Sequence, residues 1–533
     1  MFWLSPRSKK SSSRGTKLRR KASRRLLLES LERREVLSGV VLVELDGSTL
    51  RLTGDQPLVD GGAGNPSDNW VEVKQGAATG QFIVTAKNNT LLREGSSGSL
   101  KLSTTVNGVQ NIDVQLGLLN DTFELTGATP AGPLAGHKAG AALVRGSVVI
   151  TNDACGTKKN VLTNVLVKGN LDVRLDPQNT PPTYARSELA VFDSTIEGAV
   201  TVNNTDSAGG GGSTSTVLQR VHIEKQLTIT NGPDLDVIDI QDSSIDKSTA
   251  AGTTISNGPG GSRTTFTSTG ATGNTLYGSL TIYNGENPID VPALQQLDDL
   301  VTFNNTNVRG KVFIDNDGGD SRVLVSANTV LGSDISPPSG DPAPSLLLQN
   351  GAGVDLFDMQ NSTAMFGVSI DHDYGGSSSE SNLYGSTTKI YASVIGCCLS
   401  GSEGLTVLGD DGNDIVEVTE SNITGPVELK LFNGNNSVLL QQNQPIQGLI
   451  IETGNQMDVV TIKGSSSSAR QVVMLAEIEL GDLNDLLVME HVQFLGDTLL
   501  DGEDGDQDER RSRDVLFSGG TVNLLNWENV FEL

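Results

Sequence analysis

Five apolar positions recur at fixed distances from a glycine, and this pattern limits the fold more than any other feature of the chain. Before Gly198 stand Leu189, Val191 and Ile196, and after it Val200 and Val202. The same offsets hold around Gly310 with Val301, Phe303, Val308, Val312 and Ile314, and around Gly425 with Val416, Val418, Ile423, Val427 and Leu429. Gly496 keeps Leu487, Met489, Phe494 and Leu500, with Thr498 at the weak position, and Gly332 keeps Val323, Val325 and Val330. Looser copies surround Gly278, Gly367 and Gly448. Each unit holds two or three runs of period-2 alternation, the spacing of short strands that bury one side.

A unit of roughly 20–30 residues cannot bury its apolar side alone, whereas stacked units share one core. Residues 146–533 are therefore predicted to be a degenerate β-solenoid: all-β, a right-handed parallel β-helix of ten or so coils, about 4.8 Å apart and roughly 50 Å long. The residue four before the marker glycine is small or polar (Ser194, Thr306, Asn328, Ser421). It is expected at a corner, bonding backbone or stacking on the next coil, and the glycine at a second bend. The Gly/Ser/Thr/Pro-rich stretches 208–216, 248–275, 333–345 and 375–388 should be loops projecting from the corners. Residues 39–145 alternate less regularly, from Val41, Val43 and Leu45 to Ile112, Val114 and Leu116. They read as an N-terminal β-rich cap region, with small antiparallel sandwiches as the competing architecture. The end of the chain, Leu524–Leu533, reads as a final strand.

Composition agrees with thin strands. Gly is 61 of 533 residues, aromatics are 4 % and hydrophobics 36 %, which suits a slim aliphatic core and not a helical bundle. Charge is sharply divided. Residues 1–38 carry twelve Lys/Arg against three Glu, a net of +9, which leaves −35 on the rest of a chain totalling −26. Such a body repels nucleic acid and anionic membrane and attracts divalent cations. Cys155, Cys397 and Cys398 form neither a disulfide framework nor a zinc set. Cys397, four before Gly401, reads as a packed corner thiol. No stretch approaches the ~20 apolar residues of a membrane span.

Residues 1–38 begin as a Ser/Lys/Arg-rich tail that should be disordered, and continue from Arg24 to Leu37 as a basic amphipathic segment. Within it, Leu28-Glu29-Ser30-Leu31-Glu32-Arg33-Arg34-Glu35-Val36-Leu37-Ser38 resembles the N-terminal LEPR-XLL motif of large secreted and surface proteins of planctomycete bacteria, with Arg33 where that motif has Pro. The resemblance implies export, removal of the basic leader, and an extracellular or cell-surface location.

Gly409-Asp410-Asp411-Gly412-Asn413-Asp414-Ile415-Val416 resembles the G-G-x-G-x-D-x-U-x nonapeptide of RTX-type calcium-binding β-rolls, with Asp410 in place of the second Gly. Calcium takes carboxylate and carbonyl oxygens. The candidate metal ligands are therefore Asp410, Asp411, Asn413 and Asp414, against the alternative that Gly, Asn and Asp simply form a turn before a strand. The acidic run Asp501–Glu509 lacks the glycine and glutamate of an EF-hand loop and reads as a solvated loop. Asp371-His372-Asp373-Tyr374 is the richest polar cluster after a strand and the candidate for catalysis on a β-helix, although sugar-binding aromatics are scarce. No P-loop, G-x-S-x-G elbow, H-E-x-x-H or paired C-x-x-C occurs.

The expectation is a non-enzymatic structural or adhesive protein with possible calcium stabilisation. Its partners would be envelope or extracellular matrix components, including polysaccharide, with no nucleic acid and no membrane span. The alternative is a polysaccharide lyase or hydrolase on a β-helix.

Overall fold

The structure, a computed structural model, describes residues 39–533 apart from 55–67, 96–97, 118–119, 128–139, 154–155, 177–185, 205–212, 234, 249–250, 271–272, 286–298, 335–343, 352, 373–384, 397–402, 504–506 and 533. The leader with its LEPR-XLL-like stretch, all three cysteines, Asp373 and Tyr374 lie outside the described residues.

Alternation translates directly into stacked strands. A representative coil passes through Leu227–Thr230 on a broad face, Asp236–Gln241 on a second face and Ser244–Ile245 on a short face. It then returns to the broad face at Thr253–Ser256. Each strand pairs in parallel with its equivalent one coil away: Val200 opposite Leu227, Thr214 opposite Asp236, Ile223 opposite Ile245. Among the described residues the broad face contains twenty strands. Four of them (Gly39–Asp46, Thr49–Thr53, Thr90–Glu94 and Leu100–Lys101) belong to the N-terminal cap, and the remainder run as one parallel ladder from Asn111–Gln115 to Val522–Leu525. The second face forms a matching ladder from Asp121–Thr126 to Asn529–Glu532. The fold is thus an all-β parallel solenoid. Its sixteen coils, counted on the broad face, rise by roughly 75 Å. That is more than the repeats around marker glycines suggest, because several coils lack the glycine.

The cap is mostly antiparallel where the coils are parallel, although Gly39–Asp46 also pairs in parallel with Thr90–Glu94. Val71 pairs with Ala86, Phe82 with Val106 and Leu45 with Leu50. It is nevertheless continuous with the coils, since Leu50 pairs in parallel with Ile112 and Val71 with Phe123. Separate sandwiches do not form, because these strands share one hydrophobic core with the first coils.

Inward positions hold the repeated apolar residues. Leu189, Val191, Ile196, Val200 and Val202, and their counterparts around Gly310 and Gly425, are all buried in that core. Two corrections concern register. In the Gly332 copy the inward residue is Leu331 and not Val330, because the corner before it takes two left-handed residues, Ala327 and Asn328, and slips the register by one. Residues 248–275 are not a loop. They supply Thr253–Ser256, Ser262–Thr267 and Asn274–Leu276, nearly a whole coil whose inward side carries Ile255, Phe266 and Leu276. Thr tolerates a pleated surface as well as any β-branched residue, so a Ser/Thr-rich composition does not by itself mean a loop.

At Gly198 the marker glycine is needed for close approach and not for an unusual φ, whereas Gly332 turns with φ 76°. Gly198 donates its N–H to Gly169 O at 3.0 Å, and a Cβ on Gly198 would fall 2.3 Å from that oxygen. The long insertions lie between the broad and second faces (177–185, 205–212, 286–298, 373–384) or between the short and broad faces (335–343, 397–402). The corner between the second and short faces carries 128–139 and the shorter stretch 464–470.

Candidate functional site

Two corners of the coil stack columns of polar side chains, and several residues singled out in the sequence fall into these columns. The tightest corner joins the second face to the short face. One non-glycine residue turns there with positive φ: Asp193, Arg220, Asp242, Asn305, Asn361, Ala392, Glu420 and Gln442, at 48–56°. The residue after it is usually small and hydroxylated. Ser243 Oγ donates to Gln241 O at 2.8 Å and accepts the Val221 N–H at 3.0 Å from the coil before. Ser194 and Ser421 do the same work, as their spacing predicts. In the Cys397 coil the corner residue is Ser393, which accepts the Ser362 N–H. Cys397 itself lies outside the described residues.

The corner from the broad to the second face begins with an asparagine ladder. Asn204, Asn231, Asn257, Asn284, Asn316 and Asn350 are buried and stacked. Each Nδ2 donates to the Oδ1 of the next: 2.7 Å from Asn204 to Asn231, then 2.8, 2.8, 2.6 and 2.8 Å. An amide offers both a donor and an acceptor, so the chain of bonds has one direction. It ends on His372, whose Nδ1 accepts from Asn350 Nδ2 at 2.9 Å while Nε2–H donates to Thr388 Oγ1 at 3.0 Å. The ladder thereby fixes the imidazole tautomer, and burial pushes the His372 pKa down to about 3. Asp371 points the other way, half-exposed on the outer side of the strand. The Asp371–His372 pair therefore does not converge.

The second column on this corner stands at the entry to the second face. It alternates hydroxyl and carboxylate over Thr214, Asp236, Ser262, Asp299, Ser321, Asp355, Ser386 and Asp414, all buried. Ser262 Oγ donates to Asp299 Oδ1 at 2.8 Å, and Ser321 donates both its Oγ and its N–H to Asp355 Oδ1, at 2.6 and 3.1 Å. From Asp414 the alternation stops. Asn436, Asp458, Asp485 and Asp508 follow in successive coils. Each backbone N–H donates to the next side chain: Asp414 to Asn436 at 3.0 Å, Asn436 to Asp458 at 2.7 Å, Asp458 to Asp485 at 2.7 Å, and Asp485 to Asp508 at 2.9 Å. Burial raises the carboxyl pKa of Asp355 to about 8 and of Asp458 to about 6. Burial and the charge of Asp410 raise Asp414 to about 7. Burial and the charges of Asp458 and Asp508 raise Asp485 to about 8.

The Gly409–Val416 turn sits where these columns meet. Asp410 and Asp414 are buried, and Asp411 and Asn413 are exposed, because alternate residues of the turn face opposite ways. The inner pair is brought together. Asp414 Oδ2 accepts the Asp410 N–H at 3.1 Å, Asp414 Oδ1 accepts the Ser386 N–H at 2.9 Å, and Asp410 accepts from Ser386 Oγ and the Gly412 N–H. The outer pair stacks on the following coil: Asp411 Oδ1 accepts from Asn433 Nδ2 at 2.9 Å, and Asn413 Oδ1 accepts the Asn435 N–H at 2.7 Å. The four candidate ligands thus form two pairs on opposite sides of the backbone, and the inner carboxylate oxygens already serve backbone and hydroxyl donors. As one calcium-ligand set the four do not fit. Among the described residues no three Asp, Glu, His or Cys side chains gather as a metal site.

Both broad-to-second-face columns escape the glycine-centred pattern, although each carries a signal. An asparagine stands six residues after Gly198, Gly278 and Gly310, and Ser187, Asp299, Ser321, Asp414 and Asp485 each stand eleven before a marker glycine. Compared with known proteins, the chain matches no family model, no curated protein and no solved structure. Among the described residues no helix is long and apolar enough to cross a membrane.

Proposed function

We propose that this chain is an exported structural or adhesive element of a cell surface or extracellular matrix. The observation that supports this reading most is the continuity of one core and two parallel ladders from Asn111 to Glu532. Such a body presents similar polar outer surfaces every ~4.8 Å, which suits many weak, repeated contacts with envelope material or polysaccharide. The acidic surface keeps the chain away from nucleic acid, and the LEPR-XLL-like leader supports export.

Protease treatment of intact cells tests the location: the reading expects digestion of the protein before lysis, and protection until lysis refutes it. Binding of the purified full chain to isolated envelope polysaccharide tests adhesion. Turnover of that polysaccharide, abolished by Asp373→Ala, would favour the lyase or hydrolase alternative instead. Calcium enters as a stabilising ion on the solvent side of the 409–414 turn, where Asp411 and Asn413 are the exposed donors. A chelator is expected to lower the melting temperature, and an unchanged transition removes calcium from this function.

A further inference from the structure

The last coils contain an arrangement found nowhere earlier in the column. From Asp236 to Asp414 each buried carboxylate of the column is separated from the next by a hydroxyl coil, a spacing of two rises or about 10 Å. Asp458, Asp485 and Asp508 occupy three successive coils, so their backbones are only about 4.8 Å apart. All three are at most 2 % exposed. Their Oδ1 atoms accept the N–H groups that tie coil to coil. Among the described residues no hydrogen-bond donor reaches Asp485 Oδ2.

The charged groups around the stack are acidic. Asp485 faces Asp458 below, Asp508 above and Glu503 from the turn leading to Asp508. Asp508 donates its N–H to Glu528 of the final coil at 2.9 Å. Asp414 stands two coils below Asp458, with neutral Asn436 between. The Thr453 hydroxyl lies against Asp458. Three like charges buried this closely cannot all stay ionised without loss, so protons are the natural counterions.

We infer that the Asp458–Asp485–Asp508 column is a proton-operated latch, which holds the C-terminal coils closed while it carries protons and loosens them as it ionises. Asn436 shows why the latch is chemical and not merely steric. It occupies the same register one coil earlier, accepts the Asp414 N–H through Oδ1 and carries no charge. An uncharged amide therefore fits the rung.

The sign follows from linkage. Carboxyls with folded values of about 6 (Asp458) and about 8 (Asp485) bind protons more tightly folded than unfolded, where the value is about 3.9. Their stabilisation is complete below about pH 4 and is lost as pH rises through 6 to 8. For one such group the opening constant rises up to about tenfold per pH unit within that window.

Hydrogen–deuterium exchange of the full chain, corrected for intrinsic rates, reads the opening of the Asn436, Asp458 and Asp485 amides. Between pH 5.5 and pH 8 their protection is expected to fall by about tenfold or more. In the Asp458→Asn/Asp485→Asn double variant it should stay level, with pH 8 protection above that of the parent. The single Asp485→Asn variant removes the group that titrates across the whole window and should keep well under half of the pH response; it serves if the double variant does not fold. Protection in the parent that does not change with pH, or an Asn variant that keeps the parent's full decline, overturns the latch.

Discussion

Replacing Asn284 by Ala should loosen the middle of the solenoid far more than its size suggests. The side chain accepts from Asn257 Nδ2 at 2.8 Å and from Ser262 Oγ at 2.9 Å, and donates to Asn316 Oδ1 at 2.6 Å. Ser262 Oγ keeps Asp299 as an acceptor, so the loss falls on the two neighbouring amides. Two neutral hydrogen bonds contribute about 1 kcal/mol each, and a buried amide group left without a partner costs about 1–3 kcal/mol more. The expected destabilisation is therefore about 3–5 kcal/mol. Thr281→Ala in the same coil is the control. Thr281 lies on the outer side of its strand, and its loss should stay within about 0.5 kcal/mol. A stacked-repeat protein opens locally, so hydrogen exchange over residues 253–316 is the appropriate assay. Exchange there should accelerate by roughly a hundredfold or more, since 1.4 kcal/mol corresponds to a factor of ten. If Asn284→Ala exchanges no faster than Thr281→Ala, the asparagine column is not a stabilising ladder.

Two further substitutions probe packing and the buried ion pair. Gly198→Ala should cost about 1–3 kcal/mol, because the new Cβ would sit 2.3 Å from Gly169 O and must push neighbouring backbone apart; an unchanged melting temperature would count against close coil approach. Lys158 Nζ and Asp121 Oδ2 form an ion pair with side chains 3 % and 1 % exposed. Burial outweighs that pair and still raises the Asp121 pKa to about 7. Lys158→Ala should thus cost about 3–5 kcal/mol. The cost should grow as pH rises above 7, where the isolated carboxylate must ionise, and a pH-independent melting curve for the variant would refute this.

The inward residues were legible in the chain itself because period-2 alternation and a shared core leave a strict mark: Val301, Phe303, Val308, Val312 and Ile314 had to face one way. The small corner residues Ser194 and Ser421 were legible for the same reason, since that corner favours side chains that accept a backbone N–H and donate to a backbone carbonyl, as Asn274 and Asn443 also do. Sequence also supplied the charge division and the LEPR-XLL-like stretch, on which the proposal of export rests. Register slips such as that at Ala327–Asn328, and the coil built from residues 248–275, needed the structure, because local composition does not record which turn the backbone takes.

The tertiary stack alone decided the fate of the polar residues. Asn284, Asp458 and His372 look like ordinary turn or site residues one by one. Their partners within the columns lie 22–32 positions away, so a column exists only once coils of unequal length are brought into register. The same stacking divided Asp410 and Asp414 from Asp411 and Asn413, since a turn sends neighbouring side chains to opposite sides, and a linear motif cannot say which side is water.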